Sequence, residues 1–283
     1  MGNIAAQRGE LRPALQLYDE AAQAAENAHI QYYLALARNN YAYHSLLLGR
    51  VDAAQQAATQ GVKVAEAYEL LAALLHLYST QGEIHLYLAE WTKAAESFQL
   101  GLDLAEELGN LERQAGYRGG LALAARGEGD LESGIALLEE AIALIADQGY
   151  WHLRTRLKLW LAEIRFDRQE YMALAPLLEE ALAITRSHQR TLLLVQAQRL
   201  NAGLLAATGD WPASDGLFAD ALRNAAGLGL DLEVARVQAA WGAALLHFSP
   251  TGERGRELLA TARAVFVTCS ARADLAALPP AQA

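Results

Sequence analysis

The sequence predicts an all-α fold, a solenoid of stacked antiparallel helix pairs amounting to about six and a half units. Three observations predict it. One pattern returns every forty residues, and its small and bulky positions stay in register from copy to copy. The composition also suits helices, with 53% hydrophobic residues, six prolines and no runs of β-branched residues.

The plainest copy runs from Ala202 to Ala221. There Ala202 precedes the turn Gly209-Asp210-Trp211, and Ser214, Phe218 and Ala221 follow at helical spacing. The turn column of the six copies reads Leu11, Val51, Trp91, Leu131, Tyr171 and Trp211, all bulky and apolar. Two residues earlier stand Gly9, Gly49, Ala89, Gly129, Gln169 and Gly209, mostly what a tight turn requires. Ten residues after the turn come Ala21, Gly61, Gly101, Ala141, Ala181 and Ala221. Nine before it come Ala42, Gly82, Ala122, Ala162 and Ala202, then Gly242. In a chain rich in Ala and Gly, one such column of six arises by chance roughly once in a thousand trials. Two columns in fixed relation to a bulky one mark a repeat. Close antiparallel packing needs small residues where two helices approach and bulky ones such as Tyr18, Phe98 and Phe218 to fill the gaps a turn away. Each pair then keeps an apolar face that only the next pair covers.

Residues 1–28 hold half a unit. Gly9-Glu10-Leu11 is its turn and Ala14, Tyr18 and Ala21 mark its second helix, with eight residues before the turn where a first helix of about eighteen is expected. A second helix alone cannot bury both faces, so the chain is expected to be a piece of a longer protein, or to be covered at this end by something else. Six complete units follow, at about 29–68, 69–108, 109–148, 149–188, 189–228 and 229–270, read as one continuous solenoid. Leu108-Gly109-Asn110, Gln148-Gly149-Tyr150, Ser187-His188-Gln189 and Leu228-Gly229 mark joints between them. The joint from Ala67 to Leu70 has no breaker and predicts either a very tight turn or one continuous helix. Pro176 predicts a local distortion inside a second helix. Gly116, Gly119 and Gly120 predict either a backbone packed close against a first helix or a hinge. The last unit carries the irregular turn Ser249-Pro250-Thr251-Gly252; residues 271–283 read as a tail, in which Leu278-Pro279-Pro280-Ala281-Gln282-Ala283 predicts a frayed end or a linker.

Small residue, Gly-Asp-aromatic turn, then small, aromatic and small again at spacings of three to four: this resembles the tetratricopeptide repeat, a helix-turn-helix unit of about 34 residues. Here the unit is forty, with the surplus placed in longer helices. Units of this length resemble the C-terminal repeat regions of bacterial signal-transduction ATPases of the maltose-regulator type and related transcription regulators. The resemblance covers about Gly9 to Thr268. It implies a right-handed superhelical solenoid whose first helices line a concave groove, and it is weak for function.

A net charge of −10 and a pI near 5.2 argue against nucleic acid or an anionic membrane as the main partner. The single cysteine, Cys269, excludes an internal disulfide and fits a reducing, cytoplasmic setting. There is no secretion signal in the first fifteen residues, and no apolar run approaches a membrane span. Catalytic patterns are missing as well. Gly116 to Gly120 lacks the lysine of a phosphate loop, and neither a Gly-x-Ser-x-Gly elbow nor a His-Glu-x-x-His helix occurs. His76 and His85, nine residues apart on one helix, point to opposite faces, so no metal site is expected. The carboxylate pairs Glu106-Glu107, Glu139-Glu140 and Glu179-Glu180 read as a solvated outer stripe. No enzyme and no cofactor is expected.

Carried over by position, the resemblance implies groove candidates on each first helix. Asn39 and Tyr43 lie in the first complete unit, and His76, Glu83 and Tyr87 in the second. Arg126 follows, then Arg156 with Glu163, then Arg199 and Arg236. Tyr43 and Tyr87 are either stacking platforms for a sugar or peptide side chain or core residues. Arg156, Arg199 and Arg236 either receive a carboxylate or an acidic peptide, or are solubilising arginines with apolar stems on the groove wall. The expected function is a protein or peptide interaction module of a larger signalling or transcription regulator. The alternative is a sensor taking a small effector ligand or signalling peptide in the groove. A homodimer through the uncapped end is a further expectation.

Overall fold

The computed structural model describes residues 1–7, 9–187, 191–249 and 252–279, and among these every regular element is a helix. His188 and Gln189 of the predicted joint, Pro250 and Thr251 of the irregular turn and the end of the tail lie outside the described residues. Where the sequence predicts one continuous solenoid, the chain divides into two compact units, Met1–Glu128 and Gly129–Ala283. The first contains α1 (Gly2–Gln7), α2 (Leu11–Asn27), α3 (Gln31–Leu47), α4 (Val51–Ala67), α5 (Leu71–Tyr87), α6 (Trp91–Glu107) and α7 (Leu111–Glu128). The second contains α8 (Leu131–Leu144), α9 (Trp151–Asp167), α10 (Tyr171–Ser187), α11 (Thr191–Ala207), α12 (Trp211–Gly227), α13 (Asp231–Phe248), α14 (Glu253–Thr268) and α15 (Arg272–Ala277).

One joint, used repeatedly, sets helix length. At Tyr68-Glu69-Leu70 the Leu70 N–H donates to the Ala65 carbonyl at 2.8 Å and the Glu69 N–H to that of Glu66 at 3.2 Å, with Glu69 left-handed at φ 53°. This pair of bonds closes the last open carbonyls of a helix in three residues. The same pair recurs at Glu10, Ile30, Arg50, Glu90, Asn110, Glu170, Asp210 and Ala271. Nine of the helices are seventeen residues long, so helix and three-residue joint together make a backbone period of twenty. The Ala67 to Leu70 joint is therefore the tight turn of the two alternatives. No glycine marks it because a glutamate accepts the left-handed conformation, as do His29, Ala89, Gln169 and Ser270 elsewhere.

The small columns are buried where helices meet. Ala42, Ala122, Ala162, Ala202, Ala141 and Ala221 are fully buried. Ala21 is exposed, since it belongs to the incomplete first unit. Phe98 of α6 lies between Gly82 of α5 and Gly120 of α7, where a Cβ added at Gly120 would stand 2.7 Å from the ring. Tyr117 occupies the matching place against Gly101. Gly120 of α7 thus makes room for an aromatic ring rather than a backbone, and Gly116 has open space beside it. A backbone approach does occur in the second unit, where a Cβ on Gly242 would meet the Gly255 carbonyl at 2.8 Å. Helix α10 runs through Pro176 from Tyr171 to Ser187.

Both ends of the chain differ from expectation. The first unit is not a second helix alone: α1 precedes it, Gly2 lets the Tyr18 ring lie against it, and the Tyr18 hydroxyl donates to Asn3 Oδ1 at 2.8 Å. Within the stretch read as a tail stands α15 at Arg272–Ala277, because the Ala271 joint turns the chain once more and Asp274 then pairs with Arg236.

Two stability tests follow from this packing. Ala89→Gly and Gln169→Gly relieve the left-handed strain and are expected to stabilise by roughly 0.5–1 kcal/mol each, seen as a higher urea midpoint at unchanged slope. Gly116→Ala, facing open space in a helix, is expected to stabilise by about 0.8–1.0 kcal/mol. Gly120→Ala, which must displace the Phe98 ring, should destabilise by about 1–3 kcal/mol in the same titration.

Candidate functional site

Within each unit the first helices touch one another directly, α3 with α5 and α5 with α7 in one unit, α9 with α11 and α11 with α13 in the other. Polar side chains form rungs across these contacts. Thr80 of α5 donates to Asn39 Oδ1 of α3 at 2.8 Å, inside the core. Arg113 Nη2 of α7 lies 2.8 Å from His76 Nδ1 of α5 and 3.4 Å from its Nε2. The Tyr117 hydroxyl donates to the Leu75 carbonyl, and burial pushes that hydroxyl's pKa up.

The second unit repeats the device with charges. Arg199 Nη2 of α11 binds Glu163 Oε1 of α9 at 2.7 Å, both side chains 18% exposed. Arg236 of α13 meets Asp274 of α15 through two bonds of 2.8 and 2.9 Å, and Glu233, one turn earlier on its own helix, at 2.6 Å. Burial works against the Arg236 charge, but the two carboxylates outweigh it and hold the guanidinium above its ordinary pKa. Arg156 lies over the Trp160 ring, 4.4 Å from its centroid.

The sequence-derived candidates therefore have different settings. Glu163 and Arg199 come together as an ion pair. Arg156, Arg199 and Arg236, read as either a carboxylate-receiving row or solubilising arginines, are each engaged by the chain itself. Tyr87 is 6% exposed, so burial at the end of α5 makes it a packing residue rather than a stacking platform. Tyr43 is half-buried and edge-on to His44, with ring centroids 5.2 Å apart. Glu83 and Arg126 are half-buried, and each has an interaction partner. Of the outer carboxylates, Glu106, Glu139 and Glu180 are tied to Arg118, Arg165 and Lys158. Sequence reasoning passed over Arg113, Thr80, Glu233, Asp274 and Trp160. Most carried a signal in their spacing, since the rungs join residues 36 to 42 apart, close to one repeat.

Among the described residues no group of His, Cys, Asp or Glu could hold a metal ion, and no helix is long and apolar enough to cross a membrane.

Neither a family model nor a curated protein matches the sequence. Solved structures do match. A Rap protein complexed with competence and sporulation factor is similar with a TM-score of 0.81 at 12% identity, over 95% of this chain and 74% of that one. The fold is a tetratricopeptide-like helical repeat solenoid. The Rap conjugation gene regulator of plasmid pLS20, in complex with the Phr* peptide, gives 0.77 at 12% identity over 95% of this chain and 72% of that one. A signal transduction ATPase with numerous domains from Pyrococcus horikoshii, bearing a tetratricopeptide repeat sensor, gives 0.58 at 17% identity over 98% of this chain and 42% of that one. At such identities the likeness is one of fold. The narrower likeness to the maltose-regulator type rests on the sequence pattern.

Burial first, and then the Arg113 charge, hold the His76 imidazole down at about 4. Its unfolded value is about 6.5, so the unfolded chain takes up this proton more readily. The stability tied to His76 is thus complete above about pH 6.5 and is lost as pH falls through that value toward 4. His76→Gln is expected to flatten this acid-side decline by on the order of 1–3 kcal/mol, measured by urea unfolding across that range. Burial lowers His44 as well and leaves a residual slope in the variant.

Proposed function

We propose that the chain is a non-catalytic module that binds a protein or peptide segment along its first helices, as the repeat region of a larger bacterial signalling or transcription regulator. The observation that carries this reading is the first-helix face itself. Half-buried polar and aromatic groups, Tyr43, His76, Glu83 and Arg113 among them, line up on helices held in fixed register by rungs. Such a face offers hydrogen bonds and ring surface at regular intervals, which suits an extended chain more than a compact metabolite. Supporting it, two of the similar structures are complexes of Rap proteins, one with competence and sporulation factor and the other with the Phr* peptide.

Native mass spectrometry of the purified chain, mixed with a pool of random octapeptides, tests the reading. Retained peptide masses are expected, and Tyr43→Ala should weaken the retained peptides by about tenfold. A chain that retains no peptide but holds a small metabolite from a cell extract would sink the peptide reading in favour of a small-ligand sensor.

A further inference from the structure

We propose that Arg113 and His76 form a carboxylate-receiving site on the first-helix face of the first unit, where an aspartate, a glutamate or the C-terminus of a bound peptide docks. The occupant rests on the peptide reading above; the chemistry rests on the geometry that follows.

The other arginines discussed on this class of helix have their charge answered within the chain. Glu163 answers Arg199, Asp274 and Glu233 answer Arg236, and the Trp160 ring faces Arg156. Arg113 is different. Its side chain binds an imidazole, and no ion pair to it forms among the described residues. An imidazole is neutral or cationic and so supplies no negative charge to Arg113, and with its pKa at about 4 this one is neutral at pH 7. Arg113 is half-buried as a residue, and its guanidinium rests against a ring nitrogen with no carboxylate paired to it among the described residues.

The polar atoms on offer are donors. Arg113 Nη2 lies 2.8 Å from Nδ1 and 3.4 Å from Nε2, and with the nearer Nδ1 as the acceptor the ring proton is assigned to Nε2. The pair therefore presents the remaining guanidinium N–H groups and one ring N–H, and a carboxylate accepts from such a fork through both oxygens. There is also room. Gly116 follows Arg113 by one turn on the same side of α7, and a Cβ built there meets nothing within 4 Å. A ligand backbone has space to run past α7 at that point. Since the whole chain carries a net charge of −10, the site acts at contact range and not by long-range attraction.

The test has two arms. In the first, acetate is titrated into the full chain at pH 7 while the His76 ring signals, assigned with His76→Gln, are followed by NMR. A saturable shift that disappears in Arg113→Gln is expected. No saturable shift in the native chain, or the same shift in the folded variant, overturns the site.

In the second arm, pools of acetylated, amidated heptapeptides with Glu or Gln at the central position compete for the chain and are counted by mass spectrometry. The Glu pool is expected to be favoured about tenfold, a preference lost in Arg113→Gln and partly kept in Arg113→Lys, which retains the charge without the fork. Equal retention of both pools by the native chain, or a full preference in both variants, overturns peptide docking at Arg113. If neither pool is held while acetate still binds, the anion site stands and the peptide reading falls.

Discussion

A left-handed residue at the end of a helix is the constraint on which the rest of this structure depends. It lets two backbone N–H groups fold back onto the last open carbonyls, and so ends a helix in three residues without borrowing any side chain. Because it returns every twenty residues in the regular stretches, helices come out at one length and successive helices reverse direction. Equal lengths then bring residues about two helices apart in sequence side by side on neighbouring first helices. The rungs from Asn39 to Thr80 and from Glu163 to Arg199 are products of that spacing. Where the joint is not repeated, as after α8, the helix stops early at Leu144, yet α9 still begins at Trp151 in step with the twenty-residue period.

Packing between the helices obeys a second rule, that large rings need missing side chains opposite them. Phe98 is the fullest case, with a glycine on either side from two different helices. Phe218 shows the alternative, since it stacks at 5.9 Å on Trp241, with fully buried alanines in the same cluster. In both, a bulky residue of a second helix is held by first helices on two sides, which ties one repeat to the next more firmly than a general apolar contact would.

Much of this was legible in the sequence because it is periodic. The columns of Ala and Gly, the bulky residue after each turn and the joints at Gly49, Gly109 and Gly209 all follow from it. What escaped reading was what does not repeat in residue type. Glu69 and His29 take a glycine's conformation without looking like glycine, and the halved period of twenty was hidden behind the forty-residue columns. Arg236 reads as a groove arginine, either a carboxylate receiver or a solubilising residue, because its partner Asp274 lies in a six-residue segment too short to announce a helix. Arg113 was overlooked for a similar reason, as only the joint geometry shows which residue of α7 stands beside His76.

The rungs also bear on how such an array can change over generations. Each is made of two unlike halves contributed by neighbouring repeats, an amide with a hydroxyl, an imidazole with a guanidinium, a carboxylate with a guanidinium. Copying or deleting one repeat would set an amide against an imidazole, or leave a buried carboxylate such as Glu233 facing a stranger. Apolar columns are interchangeable and tolerate such shuffling, but the rungs give every repeat a fixed address in the row. An array of this kind drifts residue by residue within its places and does not readily lengthen or shorten by whole units.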